Sequence, residues 1–111
     1  MDDRARQFAA ATAAERVLAE FARRAAAFPE LRDDADWAIV LVMAAGLKRS
    51  RPVTVGDACV GSGAPDTTAL RRIRRLEQAG ILRRSQDPDD GRRSLLRLSS
   101  QAEQRLVDYL A

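Results

Sequence analysis

The sequence of 111 residues contains no histidine, one cysteine and one lysine. Without histidine, it lacks the side chain that most often serves as a general base near neutral pH. One cysteine cannot form an internal disulfide, and without histidine Cys59 provides neither a zinc site nor a Cys–His nucleophile pair. We therefore expect no enzyme, no metal site and no cofactor. We predict that Cys59 is a small buried apolar residue rather than a redox sensor.

The sequence also lacks a long hydrophobic run. The longest extends from Trp37 to Ala45, less than half of what a bilayer span requires. No stretch combines the basic start, apolar centre and small-residue cleavage site of a signal peptide. A hydrophobic content of 46% with 32% charged residues is typical of a folded globular domain. We expect one cytoplasmic domain.

Positive charge is concentrated in one part of the chain. Residues 67–98 contain nine arginines and four acidic residues, a balance of 9 − 4 = +5, whereas the remainder has ten basic and twelve acidic residues, a balance of −2. Such a local excess of positive charge is expected of a surface that faces phosphates. Arginine abundance alone proves little, because it also follows from a GC-rich genome.

The first 28 residues have the pattern of one long helix that begins near residue 3. Apolar residues follow alternating spacings of three and four, as in a coiled-coil seam: Ala11, Ala14, Leu18, Phe21, Ala25 and Phe28. Pro29 ends the helix. The seam is consistent with packing on the same domain and with packing on a partner chain. We therefore predict Leu18, Phe21, Ala25 and Phe28 as dimerisation residues.

The rest of the chain predicts a mainly α fold with a small β-wing. An apolar helix follows Asp33, a short strand and a short helix come next, and a Gly61-Ser-Gly63 turn leads into an arginine-rich helix over 65–79. Two strands flank the turn at 87–93, and a short helix begins at Ser99 or Ser100. This order predicts a winged helix-turn-helix, with segments 1–34 (N-terminal helix), 35–98 (DNA-binding domain) and 99–111 (C-terminal helix).

The arginine-rich helix has two different faces. Its apolar residues form one inward stripe: Ala69, Leu70, Ile73 and Leu76. At about 100° per residue, this stripe points a polar face outward: Thr67, Thr68, Arg71, Arg75 and Gln78, flanked by Arg72 and Arg74. Every charged residue of that face is arginine, which favours DNA contact over an ordinary solvated surface.

Three motifs carry a resemblance to a known family. They are the Leu76-Glu-Gln-Ala-Gly-Ile-Leu-Arg-Arg84 run, the Asp87-Pro-Asp-Asp-Gly-Arg92 wing and the Leu96-Arg-Leu-Ser99 strand end. From Trp37 to about Arg105, the chain resembles the winged helix-turn-helix domain of the MarR family of bacterial transcriptional regulators. The resemblance implies a regulator that binds double-stranded DNA, usually as a homodimer, often with a small-molecule effector. No residue pattern here supports an effector.

The resemblance also implies site residues. Thr67, Thr68 and Arg71 would face base edges in the major groove, and Arg72 and Arg75 would lie toward phosphates. In the wing, Arg92 would enter the minor groove, and Asp90 would orient the basic side chains. Gly91 stands where the family more often has another arginine, and Arg93 would compensate for it in DNA binding.

We therefore expect a sequence-specific transcriptional regulator, and a repressor rather than an activator. The alternative is a winged-helix module that binds another protein, with weak or no DNA binding. In the family a long C-terminal helix builds the dimer interface, whereas the last helix here is short. The N-terminal seam would replace it, or pairing would be weak, or the partner would be a different protein.

Overall fold

A computed structural model describes residues 2–49 and 51–111. Five helices and three strands follow one another in these ranges: α1 (Asp3–Ala27), α2 (Asp34–Gly46), β1 (Val53–Thr54), α3 (Val55–Ser62), α4 (Asp66–Gln78), β2 (Leu82–Gln86), β3 (Ser94–Leu98) and α5 (Ser100–Leu110). The mainly helical fold with a small wing confirms the predicted class. Within the described ranges, no helix is both long and apolar enough to cross a membrane.

Side chains that precede α1, α2 and α3 set where these helices begin. Asp2 accepts a hydrogen bond from the Ala5 amide, and Asp33 accepts one from the Asp36 amide, which satisfies amides that have no partner inside the helix. Thr54 and Asp57 form a capping box at α3. Pro65 stands at the N-cap of α4, without a side-chain cap. The arginine-rich helix thus spans 66–78 rather than the expected 65–79.

The three strands form one antiparallel sheet in the order β1-β3-β2. Strand β3 lies in the centre, where Leu96 pairs with Val53 of β1 and Leu98 pairs with Leu82 of β2. Strand β1 is only two residues long, because α3 begins at Val55. The hairpin β2–β3, with its connecting residues 87–93, is the wing.

The core lies between α2, α3, α4, α5 and the inner face of the sheet. Its large buried side chains come from several of these elements and from the connections between them: Phe28, Ile39, Val40, Ile73, Leu76, Ile81, Leu82, Leu96 and Leu106. Burial of such side chains is the main favourable contribution to folding. Cys59 belongs to this core, as predicted, and burial raises the pKa of its thiol.

Helix α1 extends away from this core. It contains no buried residue, and its 25 residues measure about 37 Å at 1.5 Å per residue, which explains the elongated dimensions of 61 × 27 × 26 Å. Leu18 and Phe21 are 64% and 53% exposed. Phe28, in contrast, lies beyond the end of α1 and is buried against Trp37, with ring centroids 5.6 Å apart. The prediction of Phe28 as a dimerisation residue is therefore wrong.

Candidate nucleic-acid interface

The turn between α3 and α4 has the compact geometry of a helix-turn-helix. Gly63 ends α3 with a φ of 70°, a conformation that glycine adopts without a steric penalty. The Ser62 hydroxyl donates to the Cys59 carbonyl at 2.7 Å and accepts from the Ala64 amide at 3.1 Å. These bonds fix the turn, so α4 leaves α3 in a defined direction.

Helix α4 buries one face and presents the other to solvent. Ala69, Ile73 and Leu76 are fully buried, and Leu70 is partly buried. On the opposite face, the exposed residues are polar or basic: Thr67, Arg71, Arg74 and Gln78, with Thr68 partly buried beside them. Neither Arg71 nor Arg74 has an ion-pair partner within the described residues. Their charge is thus available to a ligand.

Arg72 and Arg75 do not extend freely into solvent. Arg72 donates to Asp33 at 2.6 Å and to Asp36 at 3.2 Å, and Arg75 forms an ion pair with Asp36 and donates to the Glu30 carbonyl at 3.2 Å. The outward direction expected for Arg75 is therefore wrong, because its side chain turns toward the start of α2. Whether either arginine reaches a phosphate stays a prediction.

Asp33 and Asp36 form the acidic side of this network. The Asp36 side chain is completely buried, whereas Asp33 lies at the surface. The Asp36 amide, followed by the Arg72 guanidinium, holds the pKa of Asp33 below its usual range. The same contact with Asp33 raises the pKa of Arg72. The Nε atom of Arg72 is buried and has no hydrogen-bond partner within the described residues.

The wing is shaped by hydrogen bonds among its own residues. Asp90 accepts from the backbone amide of Arg92 at 3.1 Å and from its Nε atom at 3.2 Å, and this contact lowers the pKa of Asp90. Asp87 lies 3.9 Å from the Nε atom of Arg93. The Arg92 side chain nevertheless remains 92% exposed. The structure thus brings Asp90 and Arg92 together, as an orienting role for Asp90 requires.

Two contacts attach the wing to α4. Gly80, with a φ of 78°, and Ile81 donate to the carbonyls of Glu77 and Leu76, which is a Schellman motif. Arg84 of β2 donates from Nε and Nη2 to one oxygen of Glu77, at 3.1 and 2.8 Å. The wing and the exposed face of α4 are therefore parts of one connected surface.

A shallow cavity of about 280 Å³ lies beside α4. It is lined by Arg32, Asp33, Thr68, Arg71, Arg72 and Arg75. A larger half-open cavity, of about 520 Å³, lies between the end of α2, the sheet and the start of α5. Neither contains a cluster of metal-ligating side chains: in residues 2–49 and 51–111 no three histidine, cysteine or acidic residues are grouped to hold an ion. The chemistry of the α4 surface is basic and hydrogen-bonding.

Comparison with known proteins agrees with this geometry. The MarR family model matches residues 65–94, the segment from the start of α4 through the wing to β3. Over this segment the chain is similar to the MarR family, and its fold is a winged helix-turn-helix. No curated protein matches its sequence.

The solved structures that resemble this chain share its fold at low sequence identity. A Staphylococcus aureus MepR–DNA complex has a TM-score of 0.71 and 14% identity, over 93% of this chain and 80% of that one. A mutant of S. aureus MepR has a TM-score of 0.68 and 13% identity, over 94% of this chain and 73% of that one. The transcriptional regulator PA3341 has a TM-score of 0.63 and 22% identity, over 94% of this chain and 72% of that one. At these identities, the likeness shows the fold.

Sequence reasoning misses the role of Asp36. The three aspartates near the start of α2 are explained by the helix dipole, which suffices for Asp33 and Asp34. A signal is nevertheless present, since Asp36 directly precedes the apolar run that starts at Trp37. A carboxylate there needs a buried cation. The arginines that supply it are 36 and 39 residues later in the chain, and only the tertiary structure brings them close.

Proposed function

We propose that this MarR-like chain is a sequence-specific transcriptional regulator that binds double-stranded DNA, represses by occupying its site and acts as a homodimer. Helix α4 would enter the major groove, and the wing would reach the adjacent minor groove. The observation that carries the proposal is the exposed face of α4, where Arg71 and Arg74 have no ion-pair partner within the described residues. The S. aureus MepR–DNA complex, with the same fold, supports it.

Each part of the interface has a distinct role in the proposal. Thr67, Thr68 and Arg71 contact base edges, where a bidentate arginine–guanine pair is worth about 1–3 kcal/mol of discrimination. Arg92 and Arg93 supply the wing contact, with Asp90 orienting Arg92. Phosphate neutralisation with release of counterions adds affinity that depends on salt.

Fluorescence anisotropy tests the proposal. The titration uses labelled duplex DNA from upstream of the protein's own gene, beside a scrambled duplex, at several salt concentrations. We expect tight binding to the native fragment alone, weakening steeply with salt. Arg71→Ala reduces the preference between the two duplexes, whereas Arg4→Ala, which removes the same charge from the far end of α1, leaves it unchanged. A chain that binds neither duplex at low salt would contradict DNA binding.

We propose that the homodimer forms through α1. Its exposed apolar side includes Leu18, Phe21 and Ala25, and α5 adds exposed Val107 and Leu110. Contiguous exposed apolar surface is typical of interaction sites. In this assignment, segment 1–34 provides dimerisation, segment 35–98 binds DNA and segment 99–111 supports the first two. A dimer would place the two α4 helices about 34–36 Å apart, one turn of DNA.

Sedimentation equilibrium distinguishes the assemblies. The double substitution Leu18→Glu with Phe21→Glu is expected to convert dimers to monomers, because it buries carboxylates in an apolar interface. Arg16→Glu, which lies on the opposite side of the helix at about 100° per residue, serves as the control and leaves the dimer intact. A wild-type chain that sediments as a monomer at all concentrations would exclude the homodimer.

The same exposed side of α1 favours a second candidate function, a winged-helix module that binds a different protein. The two candidates differ in which substitutions abolish activity in cells. Loss with Arg71→Ala and unchanged partner binding supports the regulator. Loss with the α1 double substitution alone, at unchanged DNA affinity and with a monomeric wild-type chain, supports the interaction module.

A further inference from the structure

We propose that Asp36 is a positioning residue for the recognition helix α4, and that Arg72 and Arg75 hold this helix in place instead of neutralising DNA phosphates. The inference rests on the proposed DNA-binding function and deepens it. It assigns the two inner arginines of α4 to the protein and leaves the outer arginines, Arg71 and Arg74, to the DNA.

The Asp36 carboxylate accepts hydrogen bonds at both oxygens. Its Oδ2 atom accepts from the Arg32 backbone amide at 2.8 Å and from Nη2 of Arg75, and its Oδ1 atom accepts from Nη1 of Arg72 at 3.2 Å. The side chain has no exposed surface. A carboxylate withdrawn from water in this way is stable only with its cations and donors in place.

The two arginines are bound at more than one point. Arg72 also donates to Asp33 at 2.6 Å, and Arg75 also donates to the Glu30 carbonyl at 3.2 Å. Because they are three residues apart, they lie on the same side of α4, the side that faces the start of α2. Four donor contacts therefore fix both the rotation of α4 about its axis and its distance from α2.

The charges of this cluster cancel. Arg72 and Arg75 carry two positive charges, and Asp33 and Asp36 carry two negative ones at 2.6–3.2 Å, with the Arg75–Asp36 contact at least as close. If Arg75 moved to a phosphate, Asp36 would remain buried and would lose its main counter-charge. Arg71 and Arg74 have no such competing partner within the described residues, so phosphates and bases attract them at no internal cost.

The two possible roles of Arg75 predict opposite effects of Asp36→Asn. If Asp36 positions α4, removing its charge loosens the helix, and affinity for the specific duplex falls at least about tenfold while affinity for a scrambled duplex changes less than about twofold, because phosphate contacts carry no sequence information. If Asp36 instead competes with DNA for Arg75, the substitution releases a cation, and affinity for both duplexes rises. A rise would overturn the inference.

The salt dependence of binding provides a second readout that a purely structural role does not move. Each phosphate contact contributes about 0.9 to the slope of log K against log salt for duplex DNA. We expect Arg75→Ala to weaken specific binding and to leave this slope unchanged. Arg74→Ala, the matched control on the outer side of α4, should reduce the slope. A slope that falls by about 0.9 in Arg75→Ala would show a phosphate contact and overturn the inference.

Arg75→Lys keeps the test decisive if Asp36→Asn fails to fold. Lysine retains the charge, but a single ammonium lacks the planar fork that reaches both Asp36 and the Glu30 carbonyl. Weaker specific binding by Arg75→Lys supports positioning, and unchanged binding contradicts it. If the wild-type chain itself binds no duplex, the proposed function fails. If it binds and Arg75→Ala matches it in affinity, only the positioning role fails.

Discussion

Arg84 of β2 donates two hydrogen bonds to a single oxygen of Glu77 in α4, at 3.1 and 2.8 Å. This pair is the one side-chain ion pair between the wing and α4 within the described residues. It connects the two elements that are proposed to enter adjacent grooves of DNA, so it bears on their relative orientation more than on stability.

Glu77→Gln is expected to lower the free energy of unfolding by less than about 1 kcal/mol, because both side chains are partly exposed and exposed ion pairs contribute little. Urea unfolding of Glu77→Gln, Arg84→Gln and the double variant measures the coupling. The double variant should be at least as stable as the less stable of the two single variants. A loss of several kcal/mol in either single variant would contradict the prediction.

Gly80 is expected to resist substitution because of its backbone conformation alone. Its φ is 78°, and a Cβ placed on it would meet no atom within 4 Å apart from those of Gly80 itself and its two chain neighbours, so a clash with packed side chains is excluded as a cause. Gly80→Ala should cost about 1–2 kcal/mol, the penalty of the left-handed conformation for an L-residue. Thermal unfolding measures the loss.

Gly80→Asn is the matched control, since asparagine adopts this conformation more readily. It should lose less stability than Gly80→Ala, although its side chain is larger. Equal losses would indicate that contacts, and not the dihedral angle, determine the choice of glycine.

How much of the structure the sequence predicts depends on how far apart in the chain the interacting residues are. Helix α1, the apolar α2 and the inward stripe of α4 depend on periodicity and local stop signals, and the structure confirms them. Phe28 fits the α1 seam by spacing, but Pro29 turns the chain there, and Phe28 packs into the core on Trp37. Periodicity cannot reveal that a helix ends one residue before a seam position.

The α4 surface is predictable in its composition but not in its internal pairing. Helical spacing places Arg71 outward correctly, since it is exposed. The same spacing cannot indicate that Arg75 binds Asp36, because that contact depends on how α2 and α4 cross. Long-range ion pairs of this kind require the tertiary structure, and they divide the arginines of α4 into two groups.

Ile73→Ala is expected to destabilise the domain strongly. Ile73 lies on the inner face of α4 and is fully buried, and truncation of a buried isoleucine to alanine removes about 2–5 kcal/mol. Chemical denaturation followed by circular dichroism measures this loss. Val60→Ala is the control, because Val60 is 83% exposed and should change stability by less than about 0.5 kcal/mol. Similar effects of the two would contradict the assignment of the core.

Glu30 and Arg105 should make stability depend on pH. Arg105 donates to both carboxylate oxygens of Glu30, at 2.9 and 2.7 Å, and these bonds hold the pKa of Glu30 below its ordinary value of 4.5. A carboxylate whose pKa is lower in the folded state binds fewer protons there than in the unfolded chain. Its contribution is therefore fully present above about pH 4.5 and is lost as pH falls through the lowered pKa.

Glu30→Gln removes this contribution. We expect the variant to be less stable than the wild type at pH 7 and the difference to shrink as pH falls below 4.5, in urea titrations at a series of pH values. Glu15→Gln, which removes a carboxylate without an ion-pair partner in the described part of the chain, should track the wild type throughout. A constant difference between Glu30→Gln and the wild type across this range would mean that packing, and not the charge of Glu30, stabilises the contact between the α1–α2 connection and α5.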